Sequence, residues 1–139
     1  EVLQKAVEMD PYLAEAHSHL GIAYAGANRL DEAIASYQRA IALNPSDSKS
    51  HYNLGVAHSK RGRWDQVIEA YKRCLEIDPT DLNARYNLAL VFERLKMTSE
   101  CIDQLQEGYR IATRKRSEQF LEKIRKELDR LGVTPSPGR

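Results

Sequence analysis

Features of membrane, secreted and disulfide-rich proteins are scarce in this sequence. Its two cysteines, Cys74 and Cys101, are too few for a disulfide framework and favour a reducing, cytoplasmic compartment. The longest apolar run, Leu20 to Ala27, has eight residues and includes two glycines, whereas a membrane-spanning helix needs about 20 apolar residues. The first residues lack the basic and apolar regions of a signal peptide. We therefore expect no membrane insertion.

Net charge is also small, which argues against partners that are recognised by charge alone. The 139 residues carry a net charge of +1, so no strong field favours nucleic acid or an anionic membrane. The charge is uneven, since residues 1–113 hold 13 Lys/Arg and 16 Asp/Glu while residues 114–139 hold 8 and 4. The basic end is interleaved with acids, and only Phe120 could stack on a base. We expect a solvated helix face there and no nucleic-acid binding.

Motifs for catalysis and metal binding are missing as well. The sequence contains no glycine-rich phosphate loop, no G-x-S-x-G, no H-E-x-x-H and no C-x-x-C. His51 and His58 are spaced to share a helix face, but a metal site there needs further ligands that the pattern does not supply. Cys74 and Cys101 fall on positions predicted to be buried, which is typical of structural thiols. We predict no catalytic residue, no metal and no cofactor.

What the sequence does contain is an internal repeat of 34 residues. Three X-Pro pairs end at Pro11, Pro45 and Pro79, 34 residues apart each time. The matching positions between them are Leu20, Leu54 and Leu88; Gly21, Gly55 and Ala89; Tyr24, His58 and Phe92; Ala33, Val67 and Cys101; Tyr37, Tyr71 and Leu105; and Ala40, Cys74 and Gly108. Apolar residues recur at three- and four-residue steps, which predicts two amphipathic helices per repeat.

Glycine and proline mark where these helices should end. Gly62 is predicted to end the first helix of its repeat, because glycine tolerates the left-handed conformation of a C-terminal cap. Pro79 is predicted to end the second, because it cannot continue the hydrogen-bond ladder. Gly55 and Cys74 are small where the two helices must approach closely, and Tyr71 fills the space beside them. A lone helix pair cannot bury its apolar face, so stacking of pairs explains the repetition.

This pattern resembles the tetratricopeptide repeat family, whose 34-residue unit has Leu-Gly, an aromatic residue, small residues and a closing proline. The third repeat departs from it, since Ala89 replaces glycine, Gly108 takes the second small position, and Thr113 stands where proline is expected. The resemblance covers about residues 1–113. It implies an all-α solenoid, a right-handed superhelix of helix-turn-helix repeats with a concave face.

The predicted organisation follows from the period, with a truncated repeat before the three full repeats and a capping helix after them. The segments are 1–13, the second half of a truncated repeat; 14–47, 48–81 and 82–115, three full repeats; 116–131, a capping helix; and 132–139, a disordered tail. The half-repeat suggests a boundary inside a longer array, and its apolar edge at Leu3 and Val7 would favour self-association. No Pro or Gly separates the capping helix from the third repeat, so a long continuation of that repeat is the alternative.

The resemblance implies that binding residues line the concave face, on the first helix of each repeat. The predicted groove residues are Ser18, His19, Lys49, Tyr52, Asn53, Lys60, Asn83, Tyr86, Asn87 and Arg94. The dipeptide Tyr-Asn recurs at 52–53 and 86–87, so stacked repeats would place Asn53 above Asn87. Such a column resembles the asparagine ladder of some tetratricopeptide superhelices, whose amides hydrogen-bond a peptide backbone. The alternative is a surface amide that reflects only common ancestry of the repeats.

The residues of this sequence do not match one subtype of the family. Repeats that grip the C-terminal carboxylate of heat-shock chaperones use Lys and Asn, then Asn, then Lys and Arg. Here the first repeat offers Ser18 and Ile22, the second offers Asn53, and the third offers Asn83 and Asn87. We therefore expect a different partner, a protein or peptide bound as an extended segment or a helix. The predicted function is a non-enzymatic interaction scaffold; the alternative is the substrate-recognition segment of a larger enzyme.

Overall fold

The structure is a computed structural model that describes residues 12–136, and this range is helical. Its seven helices are α1 (Tyr12–Gly26), α2 (Leu30–Leu43), α3 (Ser48–Lys60), α4 (Trp64–Ile77), α5 (Leu82–Arg94), α6 (Thr98–Lys115) and α7 (Glu118–Arg130). No strand occurs in the described range. The all-α prediction is confirmed. The predicted half-repeat, with Leu3 and Val7, falls on residues 1–11 and lies outside the described residues.

Helix boundaries follow the 34-residue period. The starts of α2, α4 and α6 at Leu30, Trp64 and Thr98 are 34 residues apart, and so are the starts of α3 and α5. A carboxylate caps each of the latter two helices: Asp47 Oδ1 accepts from the Lys49 N–H at 3.2 Å, and Asp81 Oδ1 accepts from the Ala84 N–H at 3.1 Å. Each cap satisfies an N–H that has no partner inside its own helix.

The turns inside the repeats share a left-handed residue, and only one of them is glycine. Asn28, Gly62 and Lys96 occupy equivalent positions with φ of 60°, 69° and 61°. Gly62 follows the end of α3, as its sequence context predicts. At the other two positions the backbone of a residue with a side chain adopts the left-handed conformation, which L-residues rarely take, because the connection between the helices requires it.

The third repeat ends differently because its closing proline is missing. Helix α6 has 18 residues, whereas α2 and α4 have 14 each. It passes Thr113, continues to Lys115 and ends at Arg116, which is left-handed with φ 54°. Helix α7 then begins at Glu118, so the predicted capping helix is separate from α6 and does not continue it.

The chain divides into two compact units, residues 1–78 and 79–139. In the first unit, α1 packs on α2 and α3 packs on α4, while α2 and α1 also contact α3. The core between them contains Ala33, Ile34, Tyr37 and Ala57, with Tyr24, Ala25 and Leu54 at its edge.

Two glycines of the first unit lie against tyrosine rings. A Cβ on Gly21 would lie 2.5 Å from Tyr37 Cε1, and a Cβ on Gly55 would lie 2.7 Å from Tyr71 Cε1. Carbon atoms do not approach this closely without a shift of the ring. The expected role of Gly55 and Tyr71 at the helix contact agrees with this geometry.

In the second unit, α5 packs on α6 and α7 packs on α6. Leu82, Ile111 and Ala112 form a cluster that Phe120 and Leu121 of α7 cover. Beyond α7, where the sequence predicts a disordered tail, the Val133 N–H donates to the Leu128 carbonyl at 2.8 Å. The Gln106 side chain donates to the Thr134 carbonyl and accepts from the Ser136 N–H, at 3.2 and 3.0 Å.

Candidate functional site

A pocket between α1 and α3 is the candidate binding site of the first unit. Its volume is about 440 Å³. The lining residues are Ala14, Glu15, Ser18, His19, Ile22, Asn44, Asp47, Lys49 and Asn53. Four of the ten predicted groove residues, Ser18, His19, Lys49 and Asn53, are therefore brought together in one depression by α1 and α3.

A hydroxyl network beneath this pocket joins the two helices. Ser50 is fully buried, and its Oγ donates to Asp47 Oδ2 at 2.7 Å and bonds Ser18 Oγ at 3.2 Å. Asp47 also caps α3 through its other oxygen, so one carboxylate anchors both the helix start and the network. Ser18 is only 7% exposed, so it supports the pocket more than it presents a surface to a ligand.

The rim of the pocket is polar and carries both signs of charge. Lys49 is exposed, and Asn53 is half-buried. His19 Nε2 lies 3.8 Å from Glu15 Oε1, and both side chains are exposed. An ammonium, two carboxylates and two amides around one depression suit the main chain and mixed side chains of a peptide better than a single strongly charged group.

Two polar loop residues that line the pocket, Asn44 and Asp47, were not predicted from the sequence. Asn44 and Asp47 come from the α2–α3 loop and line the pocket, whereas only Pro45 of the Asn-Pro-x-Asp pattern was used, as a marker of the repeat period. The same pattern could have indicated a lining role, because the loop leads directly into the first turn of α3. Ile22 is 50% exposed in the pocket and provides an apolar contact there.

The predicted groove residues of the second unit lie on α5, and α7 covers one of them. The rings of Tyr86 and Phe120 meet edge to face at 6.4 Å, and the Lys123 ammonium lies 5.2 Å from the centre of the Tyr86 ring. Burial raises the pKa of Tyr86, and the carboxylates of Glu127 and Glu93 raise it further. Tyr86 therefore packs within its own unit, against the capping helix.

The remaining predicted residues are divided between the units. Tyr52 packs against Tyr71 with ring centres 5.7 Å apart, so it too contacts its own helix pair. Lys60, Asn83 and Arg94 are exposed and Asn87 is half-buried. The column of Asn53 above Asn87 stays a prediction.

Family models match three overlapping stretches of the chain. A TPR repeat model matches residues 27–62, and two tetratricopeptide repeat models match residues 48–81 and 70–103. Together these matches run from residue 27 to residue 103, more than half of the 139 residues.

The chain belongs to the tetratricopeptide repeat family. Solved structures agree: a crystal structure of MamA is 31% identical with a TM-score of 0.74 and covers 81% of this chain and 66% of its own. A second MamA structure is 30% identical with a TM-score of 0.71, covering 84% and 63%. A structure of a MamA point mutant is 21% identical with a TM-score of 0.67, and the match covers 78% of this chain and 80% of the mutant chain. At this identity it supports the fold alone.

This chain spans slightly less than two thirds of the length of the first two MamA structures. The search of curated proteins found no match. Family membership supports a protein-interaction scaffold and indicates a non-catalytic module, because tetratricopeptide repeats generally bind proteins or peptides.

The residues considered for metal or redox chemistry are placed in packed surroundings. Among residues 12–136, no group of three or more His, Cys, Asp or Glu side chains is arranged to hold a metal ion. Cys74 and Cys101 are both buried, and neither forms a disulfide within the described residues. Burial raises the pKa of Cys101 to about 11, and the carboxylates of Glu93 and Glu127 add to the shift. At neutral pH this thiol is protonated and is a poor nucleophile.

None of the described helices is both long enough and apolar enough to cross a bilayer.

Burial of His58 is expected to make the stability of the first unit sensitive to acid. It is 5% exposed, its Nδ1 has no hydrogen-bond partner among residues 12–136, and burial together with Arg63 lowers its pKa. Below about pH 6.5 the unfolded chain therefore takes up a proton before the folded one does, so stability present above that pH is lost as pH falls.

We expect His58→Phe, which installs the residue found at the equivalent buried position Phe92, to remove this loss. Urea denaturation at pH 7 and pH 5 would measure it: the wild type should lose more unfolding free energy between the two pH values than the variant. Equal losses would mean that His58 does not control the acid response.

Proposed function

We propose that this protein is an interaction module that binds a peptide or protein segment in the pocket between α1 and α3. The observation that carries this proposal is the convergence of Lys49 and Asn53 of α3 with His19 and Ile22 of α1 in one depression of about 440 Å³. That volume falls within the usual range of ligand pockets, about 300–1,000 Å³.

The chemistry of the rim favours an extended main chain as the ligand. The Asn53 amide can donate to a peptide carbonyl and accept from a peptide N–H, whatever the peptide's side chains are. Lys49 would pair with an acidic side chain or a carboxylate, and Ile22, half exposed, offers an apolar contact.

A displayed random-peptide library tests the proposal on the whole chain. Peptides selected on the wild type should bind Lys49→Ala/Asn53→Ala at least about tenfold more weakly, a loss of about 1.4 kcal/mol. Lys72→Ala, an exposed lysine of α4 outside this pocket, is the matched control and should stay within about twofold of wild type.

Helicity and the urea midpoint of each variant establish that a loss of binding is not a loss of folding. Equal affinity of the peptides for the wild type and the double variant would show that the binding surface lies outside this pocket. Failure to select any peptide with a Kd below about 1 mM, or −4.1 kcal/mol, would count against the proposal itself.

A further inference from the structure

A second cavity lies on a different face of α3, between α2 and α4. Its volume is about 450 Å³. The lining residues are Gln38, Ile41, His51, Leu54, His58, Asp65, Gln66, Glu69, Ala70 and Arg73. It shares no residue with the pocket between α1 and α3, so the two can be tested separately.

This cavity arises from particular residues of the second repeat and is not a general property of the fold. His51 and Ala70 line it, and the equivalent residues of the third repeat are Arg85 and Gln104. There the Arg85 guanidinium donates to Gln104 Oε1 at 2.8 Å, so two long side chains bridge α5 and α6. The short Ala70 cannot make such a bridge, and the space beside α3 stays open.

The same comparison shows that the long pair would fit in the second repeat. Arg85 also donates to the Pro79 carbonyl at 2.8 Å, and His51 Nε2 contacts the Pro45 carbonyl at 3.1 Å, one period earlier. An arginine at position 51 therefore has its acceptors in place once a glutamine stands at position 70.

The floor of the cavity is apolar and contains one buried polar atom without a partner. Ile41, Leu54 and Ala70 contribute apolar surface. His58 also lines the cavity, and its Nδ1 makes no hydrogen bond although the residue is 5% exposed. The apolar part of this surface suits a large apolar side chain, because removing such a side chain from water is favourable.

The rim has an excess of negative charge. The Arg73 guanidinium lies between two carboxylates, 3.1 Å from Glu69 and 3.4 Å from Glu76. Asp65 is exposed and forms no ion pair with the described residues of its unit. A ligand that brings a cation to Asp65 would meet a carboxylate whose charge is not already neutralised.

We propose that this cavity is a second docking site, for a protein segment that inserts one large apolar side chain and presents an adjacent Lys or Arg to Asp65. The cavity supplies the area for the apolar group, and the acidic rim selects the basic neighbour. The site is independent of the pocket between α1 and α3.

A displayed heptapeptide library, selected on the wild-type chain and depleted on His51→Arg/Ala70→Gln, tests the proposal. The double substitution fills the cavity with the pair that the third repeat already carries. Enriched peptides should combine an apolar residue with a neighbouring Lys or Arg, bind the filled variant at least about tenfold more weakly, and bind Asp65→Asn about threefold to tenfold more weakly with a smaller salt dependence.

Lys49→Ala/Asn53→Ala separates this site from the proposed function, because it should bind these peptides within about twofold of wild type. If the filled variant does not reach the helicity of wild type, Ala70→Gln alone replaces it. Peptides that bind wild type and filled protein equally, peptides without a basic residue, or no enriched peptide would each overturn the proposal. A wild-type dimer that the filled variant abolishes would identify a second copy as the occupant and would overturn it too.

Discussion

Replacing Gly55 by alanine is expected to destabilise the first unit, although alanine is the better helix former. The added Cβ would lie 2.7 Å from Cε1 and 2.9 Å from Cδ1 of Tyr71, whose ring is 2% exposed and packs against Tyr52. Overpacking costs about 1–3 kcal/mol, and the better helix propensity of alanine offsets about 1 kcal/mol of that cost, so a net loss of up to about 2 kcal/mol is expected. Urea denaturation followed by circular dichroism measures it.

The third repeat supplies the compensating change. There Ala89 and Leu105 stand where Gly55 and Tyr71 stand, and both are almost fully buried. Gly55→Ala/Tyr71→Leu should therefore be more stable than the sum of the two single variants, by at least about 1 kcal/mol. Gly26→Ala is the control, because a Cβ there meets nothing within 4 Å. Additive single effects would show that the ring and the glycine are not coupled.

Replacing Leu128 by alanine is expected to destabilise the second unit strongly. Leu128 is fully buried in α7, one turn from Ile124, whose Cδ1 would lie 3.1 Å from a Cβ on Gly108 of α6. Removing the methine and the two methyl carbons of leucine from such a site costs about 2–5 kcal/mol, because the cavity left behind closes only in part.

Asp129→Ala, on the exposed face of the same helix, is the matched control and should change the unfolding free energy by no more than about 0.5 kcal/mol. Hydrogen exchange adds a local measurement, since amides of α7 should lose protection in Leu128→Ala. If both variants behave alike, α7 is not part of the folded core, and its interpretation as a cap is wrong.

Most helix boundaries could be predicted from the sequence because they depend on local chemistry. Proline cannot continue a helix, so α4 ends just before Pro79. Gly62 supplies the left-handed turn after α3. The end of α6 could not be predicted from the sequence, because Thr113 does not stop a helix as proline does. Arg116, which ends α6, adopts the left-handed conformation although it is not glycine.

The candidate sites were predictable only in part. Helical spacing identified Lys49, Asn53 and His19 as residues on exposed faces, and the structure brings them into one pocket. It also places Ser18 in a buried hydroxyl pair and Tyr86 under α7. Periodicity could not reveal either, because both depend on which side chain of another helix lies opposite.

The sequence by itself determined the family, the all-α class, the 34-residue register and the faces of the helices, because these follow from the spacing of apolar, small and helix-ending residues along one chain. The tertiary structure alone decided where space remains between the helices. The short Ala70 leaves a cavity that the Arg85–Gln104 pair bridges one repeat later. Such cavities depend on the combined lengths of side chains from different helices. The repeat period of the sequence does not show whether those side chains together fill the space between the helices.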